Sequence, residues 1–174
     1  MKNSLLTKTL TLALLAGAGL TGCSSEQANQ GSIPSASETY SLATSDVVHD
    51  AGDLLSQEQE EALANQIRQK IDEHGSPLVQ VYLYDQKVDQ FKVEVQRLID
   101  EADNAEFRKK GAIIAVDKQG KAVFIARGSE LRGTLTDNEA AKIVETSLIP
   151  QLAKQDYAGG LASAVDEIYV KSAQ

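Results

Sequence analysis

The chain has 174 residues, with 17 Lys and Arg against 25 Asp and Glu, a formal charge of −8 and a single cysteine. That balance lacks the basic footprint a phosphate backbone demands, so nucleic acid is not an expected partner. One cysteine makes neither an internal disulfide nor a thiolate metal site, and with no Trp and few aromatics there is little on which to stack bases or sugars.

Lys2 and Lys8 precede an apolar run from about Thr9 to Leu20, too brief to span a bilayer, which ends in Leu20-Thr21-Gly22-Cys23. A charged start, an apolar centre and small residues before a cut site describe a secretory signal over residues 1–22. The small-small-Cys ending resembles the lipobox of bacterial lipoproteins. That resemblance implies cleavage before Cys23 and acylation of Cys23; the plainer alternative is an ordinary signal peptide with a stray cysteine. Each buried CH₂ of an acyl chain contributes about 0.8 kcal/mol, so several chains would hold the mature protein firmly at a membrane. Loss of Lys2 and Lys8 with the leader would bring its charge to −10. Ser24 after Cys23 is compatible with the periplasmic face of the outer membrane, if the cell has one. No later apolar stretch reaches the ~18–20 residues that span a bilayer.

Residues 23–45 are rich in Ser, Ala, Gln, Thr and Glu and read as a disordered tether. A folded domain is expected over 46–171, with 172–174 as a tail. Val47 to Asp50 suits a short strand. Ser56 with Gln59 forms a capping box, and Leu63, Ile67 and Ile71 follow at helical spacing until Gly75 and Pro77. Leu78 to Tyr84 is a nearly continuous β-former run of the kind covered on both faces. Phe91, Val95, Leu98 and Ala102 mark an amphipathic helix. Ala112 to Val116 and Ala122 to Ala126 flank Asp117-Lys118-Gln119-Gly120, a hairpin with Gly120 where a turn would need positive φ. Thr136 and Glu139 open a further helix through Leu148, which Pro150 would kink. Asp156 starts a last helix with Leu161, Val165, Ile168 and Tyr169 on one face.

The order β-α-β-α-β-β-α-α, with strands apolar on both faces, predicts an α/β fold: a three-layer α/β/α sandwich around a small mixed sheet. A two-layer α+β arrangement with one bare sheet face is the alternative.

Three segments lie at strand ends: Val48-His49-Asp50-Ala51-Gly52-Asp53-Leu54-Leu55-Ser56, then Asp85, then Gly128 to Asp137. In this order they resemble the TPM domain family. Val48, Asp50, Gly52, Leu54-Leu55 and Ser56 match its opening pattern. Gly128, Leu131, Gly133, Leu135 and Asp137 match its later signature, and Ile149-Pro150 and Asp156 to Leu161 its ending. The resemblance covers about 46–171. Two departures stand out: of a glycine-rich stretch before the third strand only Gly111 remains, and Glu130 replaces the second glycine of Gly-x-Gly. The resemblance implies a small α/β/α domain often facing a membrane, with calcium binding, phosphatase activity or assembly of membrane complexes among its members. It makes Gly111, Gly128 and Gly133 candidates for a ligand loop.

Asp50, Asp85 and Asp137 sit where open α/β sheets place ligands. If they converge, their carboxylates could hold a hard cation, Ca²⁺ or Mg²⁺. The same residues also suit turns and a helix N-terminus. His49 could act as a base or ligand beside Asp50, and His74 suits a helix C-terminus. Arg108, Lys109, Lys110, Arg127 and Arg132 could bind a phosphate or a partner's acidic patch, or form a solvated face. Three readings follow. One is a lipid-anchored module that binds or assembles an envelope membrane complex. Another is a metal-assisted phosphatase, and the third a structural envelope lipoprotein with no ligand.

Overall fold

The computed structural model describes residues 43–173, so Cys23, the leader and nearly all of the tether lie outside the described residues. The first element is a one-turn helix, α1 (Thr44–Val47), in which the Asp46 carboxylate accepts the Ala43 N–H at 2.7 Å. Val47 therefore closes a helix, and the first strand is the shorter β1 (Val48–Asp50).

Helix α2 (Gln57–His74) begins at the expected capping box, with the Gln59 N–H donating to Ser56 Oγ and the Ser56 N–H to Gln59 Oε1. It ends at Gly75, whose φ of 73° is the left-handed C-terminal conformation that glycine adopts without strain. Strand β2 (Leu78–Tyr84) and helix α3 (Phe91–Asp100) follow as expected. Helix α4 (Ala105–Lys110) was not legible as a helix. It is one short turn and a half, and its start depends on Asn104, whose side chain accepts the N–H groups of Glu106 and Phe107.

Strands β3 (Gly111–Asp117) and β4 (Ala122–Arg127) make the hairpin, but the residue with positive φ is Lys121, at 51°. Gly120 is needed for another reason. The Asp117 carboxylate accepts its N–H at 2.6 Å, and a Cβ on Gly120 would collide with that carboxylate.

The stretch expected as one kinked helix is α5 (Asp137–Ile143), a π-helical turn over Val144–Leu148, and α6 (Ile149–Leu152). Pro150 has no N–H to offer the Thr146 carbonyl, so regular α-helical bonding cannot run through this point, and the turn before it widens. Helix α7 (Tyr157–Ser172) starts at Asp156, which accepts the Gly159 N–H, and buries Leu161, Val165, Ile168 and Tyr169 as predicted. Tyr169 reaches across the core to donate to the Pro77 carbonyl at 2.7 Å.

The four strands form one sheet in the order β1-β2-β3-β4, parallel except for the antiparallel β3–β4 pair. Val79, Val81, Leu83, Ile114, Val116 and Ile125 face a core shared with α2, α5 and α7. Ile113, Ala115 and Ala126 face a second, smaller core with Phe91, Val95 and Ile99 of α3 and Phe107 of α4. Helices therefore lie on both faces, which makes the α/β/α sandwich. The cover is uneven. Every residue of β3 is buried, whereas in β2 only Val79, Val81 and Leu83 are, and Leu78, Gln80, Tyr82 and Tyr84 on the opposite face are half-buried.

Candidate functional site

The C-terminal ends of the parallel strands bring Asp50 and Asp85 to one edge. Asp50 pairs in register with Leu83, and Gly52 in the following loop packs so closely that a Cβ there would lie 2.7 Å from the Asp85 nitrogen. Asp50 already works within its own loop, accepting the N–H groups of Gly52 at 3.2 Å and Leu55 at 2.7 Å. Asp85 faces Lys118 at 3.4 Å. Glu60, on the first turns of α2, has its carboxyl pushed above the ordinary range by burial and then by the negative charges of Asp50 and Asp53. At the same edge Asp117, fully buried, accepts the Val88 and Gly120 N–H groups and ties the β2–α3 loop to the hairpin.

Asp137 is at the other end of the sheet. Arg127, which pairs in register with Ala112, sends its guanidinium to the Leu135 carbonyl at 2.8 Å and to the exposed Asp137 carboxylate. That hydrogen bond first, and then the charge of Arg127, hold the Asp137 carboxyl below its usual range. The seven residues of β3 separate the two ends by about 20 Å at ~3.3 Å per residue. One ion coordinates oxygens at 2.3–2.6 Å at most, so Asp137 cannot share a cation with Asp50 and Asp85. The three-carboxylate set does not fit a single metal. No group of three or more His, Cys, Asp or Glu among the described residues is arranged to hold one.

The glycine candidates gather at the Asp137 end, where the chain beyond β4 runs beside the end of α4. Gly128 donates to the Gly111 carbonyl at 2.8 Å, Ser129 to Arg108 and Glu130 to Lys109. A Cβ on Gly111 would strike the Phe107 carbonyl oxygen, and one on Gly128 the Lys109 carbonyl oxygen. Gly133 meets nothing within 4 Å. Gly111 and Gly128 thus let two backbones touch each other, and Gly133 makes no such demand.

The basic residues here are divided among partners. Lys110 faces Glu106 at 3.3 Å, Lys109 faces Glu130 at 4.0 Å, Arg132 faces Asp100 at 3.7 Å, and Arg108 donates to the Ala102 and Asp103 carbonyls. No phosphate cradle results from that dispersal. His74 lies at the C-terminus of α2, exposed, its ring 5.6 Å from that of Tyr169.

An opening lies over the half-covered sheet face. A groove of about 590 Å³ runs between α3 and α4 on one side and α1 with the end of α2 on the other, and β2 contributes Leu78, Gln80 and Tyr82. Leu98 and Ala102, predicted for the buried face of α3, line it and are only half-buried. Beside it His49 stacks on Tyr82 with centroids 4.2 Å apart, and Tyr84 continues the row at 6.4 Å from Tyr82. Nε2 of His49 is buried without a hydrogen-bond partner. Burial lowers the His49 pKa, and the charge and backbone carbonyl of Asp46 oppose it more weakly. Sequence reasoning linked His49 to Asp50 as a possible base. In the sheet the two side chains alternate in direction, and the ring joins the tyrosines instead. Alternation along Gln80, Tyr82 and Tyr84 carried that signal, but it reads as a buried strand until these residues are seen to be half-buried, with α3 meeting the row only through Phe91 at Tyr84.

The sequence profile of the TPM domain matches residues 48–171. Among solved structures, the N-terminal domain of a protein from P. gingivalis superposes with a TM-score of 0.60 at 22% identity, covering 75% of this chain and 90% of that one. BA42 from the psychrophilic Bizionia argentinensis superposes with a TM-score of 0.54 at 14% identity, covering 71% and 85%. These likenesses concern the fold. No curated protein matches the chain.

Two outcomes follow from the geometry. Gly111→Ala and Gly128→Ala should each cost at least ~2 kcal/mol in urea unfolding, because backbone must shift, while Gly133→Ala should stay within ~0.5 kcal/mol. Equal effects at all three would refute the packing role. For His49, a folded-state pKa below the ordinary 6.5 means that the unfolded chain binds the proton more readily. The neutral ring's stabilisation is present above pH 6.5 and declines as the pH falls below it, so Tm should drop between pH 7 and pH 5. His49→Phe, which keeps the stacking, should flatten that decline.

Proposed function

The chain belongs to the TPM domain family, and from that premise we propose that it is a lipid-anchored binding or assembly module of a cell envelope, held to the membrane through acyl chains on Cys23. The observation that carries the reading is the half-covered sheet face. His49, Gln80, Tyr82 and Tyr84 form a polar-aromatic strip beside a groove of about 590 Å³. Half-buried aromatic groups with polar tips suit surfaces that alternate between water and a partner. The carboxylates that a phosphatase would need are divided between two ends of the sheet, and Asp50, Asp117 and Asp137 hold backbone groups or Arg127. None of the helices among the described residues is long and apolar enough to cross a membrane, so membrane attachment in this proposal rests on Cys23.

Affinity purification of the full chain from cross-linked native membranes is the direct test. A membrane complex should be recovered reproducibly with wild type and lost with Tyr82→Lys. Cys23→Ala should move the protein out of the membrane fraction, with mass spectrometry showing no acylation. Recovery of the protein alone would count against the module, and an unacylated Cys23 in wild type would remove the anchor.

A divalent cation enters the proposal only at the Asp50–Asp85 edge. Two carboxylates suit weak binding, about 1 mM, so ~10 mM Ca²⁺ or Mg²⁺ would stabilise by about 1.4 kcal/mol and raise Tm by a few degrees. Asp85→Asn should abolish the rise and Asp137→Asn should leave it. The absence of any shift in wild type would exclude the cation.

A further inference from the structure

We propose that the groove over β2 is the docking site for an amphipathic helical segment of a partner protein whose apolar stripe is flanked by Lys or Arg. The inference rests on the binding-module reading and gives the partner its chemistry.

Shape is the first argument. The opposite face of the sheet carries α2, α5 and α7, whereas here α3 lies against β3 and β4 and α4 against β3, and β2 meets only the one-turn α1 near Gln80 and the first residue of α3, Phe91, whose ring meets Tyr84 edge-on at 6.3 Å. Neighbouring helices pack with axes 8–10 Å apart. A segment lying beside α3 would rest on Leu78 and Tyr82 and bring its flank against Leu98 and Ala102, all of which line the groove. Its apolar stripe would then complete the layer that the fold leaves unfinished, in the manner of helix-in-groove recognition.

Charge selects the kind of segment. Asp46, Asp103 and Glu106 line the groove against one cation, Lys110, which already faces Glu106 at 3.3 Å. Glu106 is held by Lys110, and Arg108 is occupied by the Ala102 and Asp103 carbonyls, whereas the Asp103 carboxylate is exposed and open to a basic residue on a partner. The same field disfavours an anionic lipid surface and a second copy of this acidic chain. Polarity of the floor excludes a wholly apolar occupant. Gln80 donates to the Asp46 carbonyl at 3.0 Å and accepts from the Tyr82 hydroxyl at 3.3 Å, which leaves hydrogen-bonding groups in the floor.

The probe is a fluorescein-labelled peptide of about 14 residues with a leucine stripe flanked by lysines, titrated with full-length protein by fluorescence anisotropy. Two controls carry glutamates in place of the lysines, or the same composition scrambled so that no stripe forms. The lysine peptide alone should saturate, and Leu98→Lys and Asp103→Lys should each weaken it about tenfold or more. Asp103→Lys changes an exposed residue before α4, so it tests the groove even if Leu98→Lys unfolds the domain. Gly133→Ala should leave binding unchanged. Equal binding of either control, or binding unaffected by both lysine variants, overturns the inference. So does uptake onto phosphatidylglycerol vesicles by the domain surface, or self-association abolished by Leu98→Lys. A partner captured from membranes whose cross-links map away from Leu98 and Tyr82 would overturn the groove and leave the module reading intact, whereas failure to capture any partner would bear on that reading itself.

Discussion

The burial of β3 on both faces is the constraint on which the rest of this fold depends. Its seven residues are all buried, with Ile114 and Val116 in one core and Ile113 and Ala115 in the other. Each large aliphatic side chain removed from water contributes roughly 1.5–3 kcal/mol, so neither face can be left bare at this strand. The two flanking strands inherit different conditions. β4 is held under α3 on one side and α5 on the other. β2 lies one strand further out, where Val79, Val81 and Leu83 are buried on one face and α3 meets the other only at its start, through Phe91 against Tyr84. The half-exposed row from Leu78 to Tyr84 follows from that geometry and needs no separate cause.

The sequence carried the sandwich because its signals were redundant. Ser56 with Gln59 and Thr136 with Glu139 marked helix starts, Gly75 marked a stop, and apolar runs too dense for a bare sheet required two helical layers. What it did not carry were features whose residues serve more than one local role. Helix α4 is short, and its cap at Asn104 competes with many other roles for asparagine. The widened turn before Pro150 depends on a missing N–H, which a periodicity cannot register. Gly120 was read as a turn glycine needing positive φ, but it makes room for Asp117, and Lys121 takes the left-handed conformation. The candidate carboxylates posed the hardest case. Asp50 and Asp85 end parallel strands and Asp137 follows an antiparallel one, so the reversal between β3 and β4 sends it to the opposite edge. That reversal was visible as a hairpin, yet its consequence for Asp137 required following the chain from β4 through residues 128–136.

Turn chemistry and ligand chemistry use the same residues, and geometry decides between them. The Asp50 oxygens each accept a backbone N–H, and so do those of Asp117. Asp137 neutralises an arginine that is itself buried, with the Leu135 carbonyl as its second partner. Gly111 and Gly128 likewise answer to the approach of two backbones. A segment matched by family resemblance can therefore persist because it closes the fold, and the departure at Glu130 occurs where the chain is exposed and faces Lys109.

The composition of the half-covered strip differs from that of a sheet face that merely lacks a helix. A sheet face that was merely short of a helix would carry aliphatic residues and invite association with any apolar surface. Here the positions alternate with a different logic. His49, Gln80, Tyr82 and Tyr84 each combine a flat or flexible body with a polar tip, and the Tyr82 hydroxyl donates to Gln80 along β2. Such side chains remain compatible with water when alone and still offer area to a partner. In the proposed reading, the acidic residues around the groove would add a further filter, because they would repel an anionic surface beside which an acylated Cys23 held the domain. Adsorption flat onto lipid would then be disfavoured, and the strip would stay available to protein.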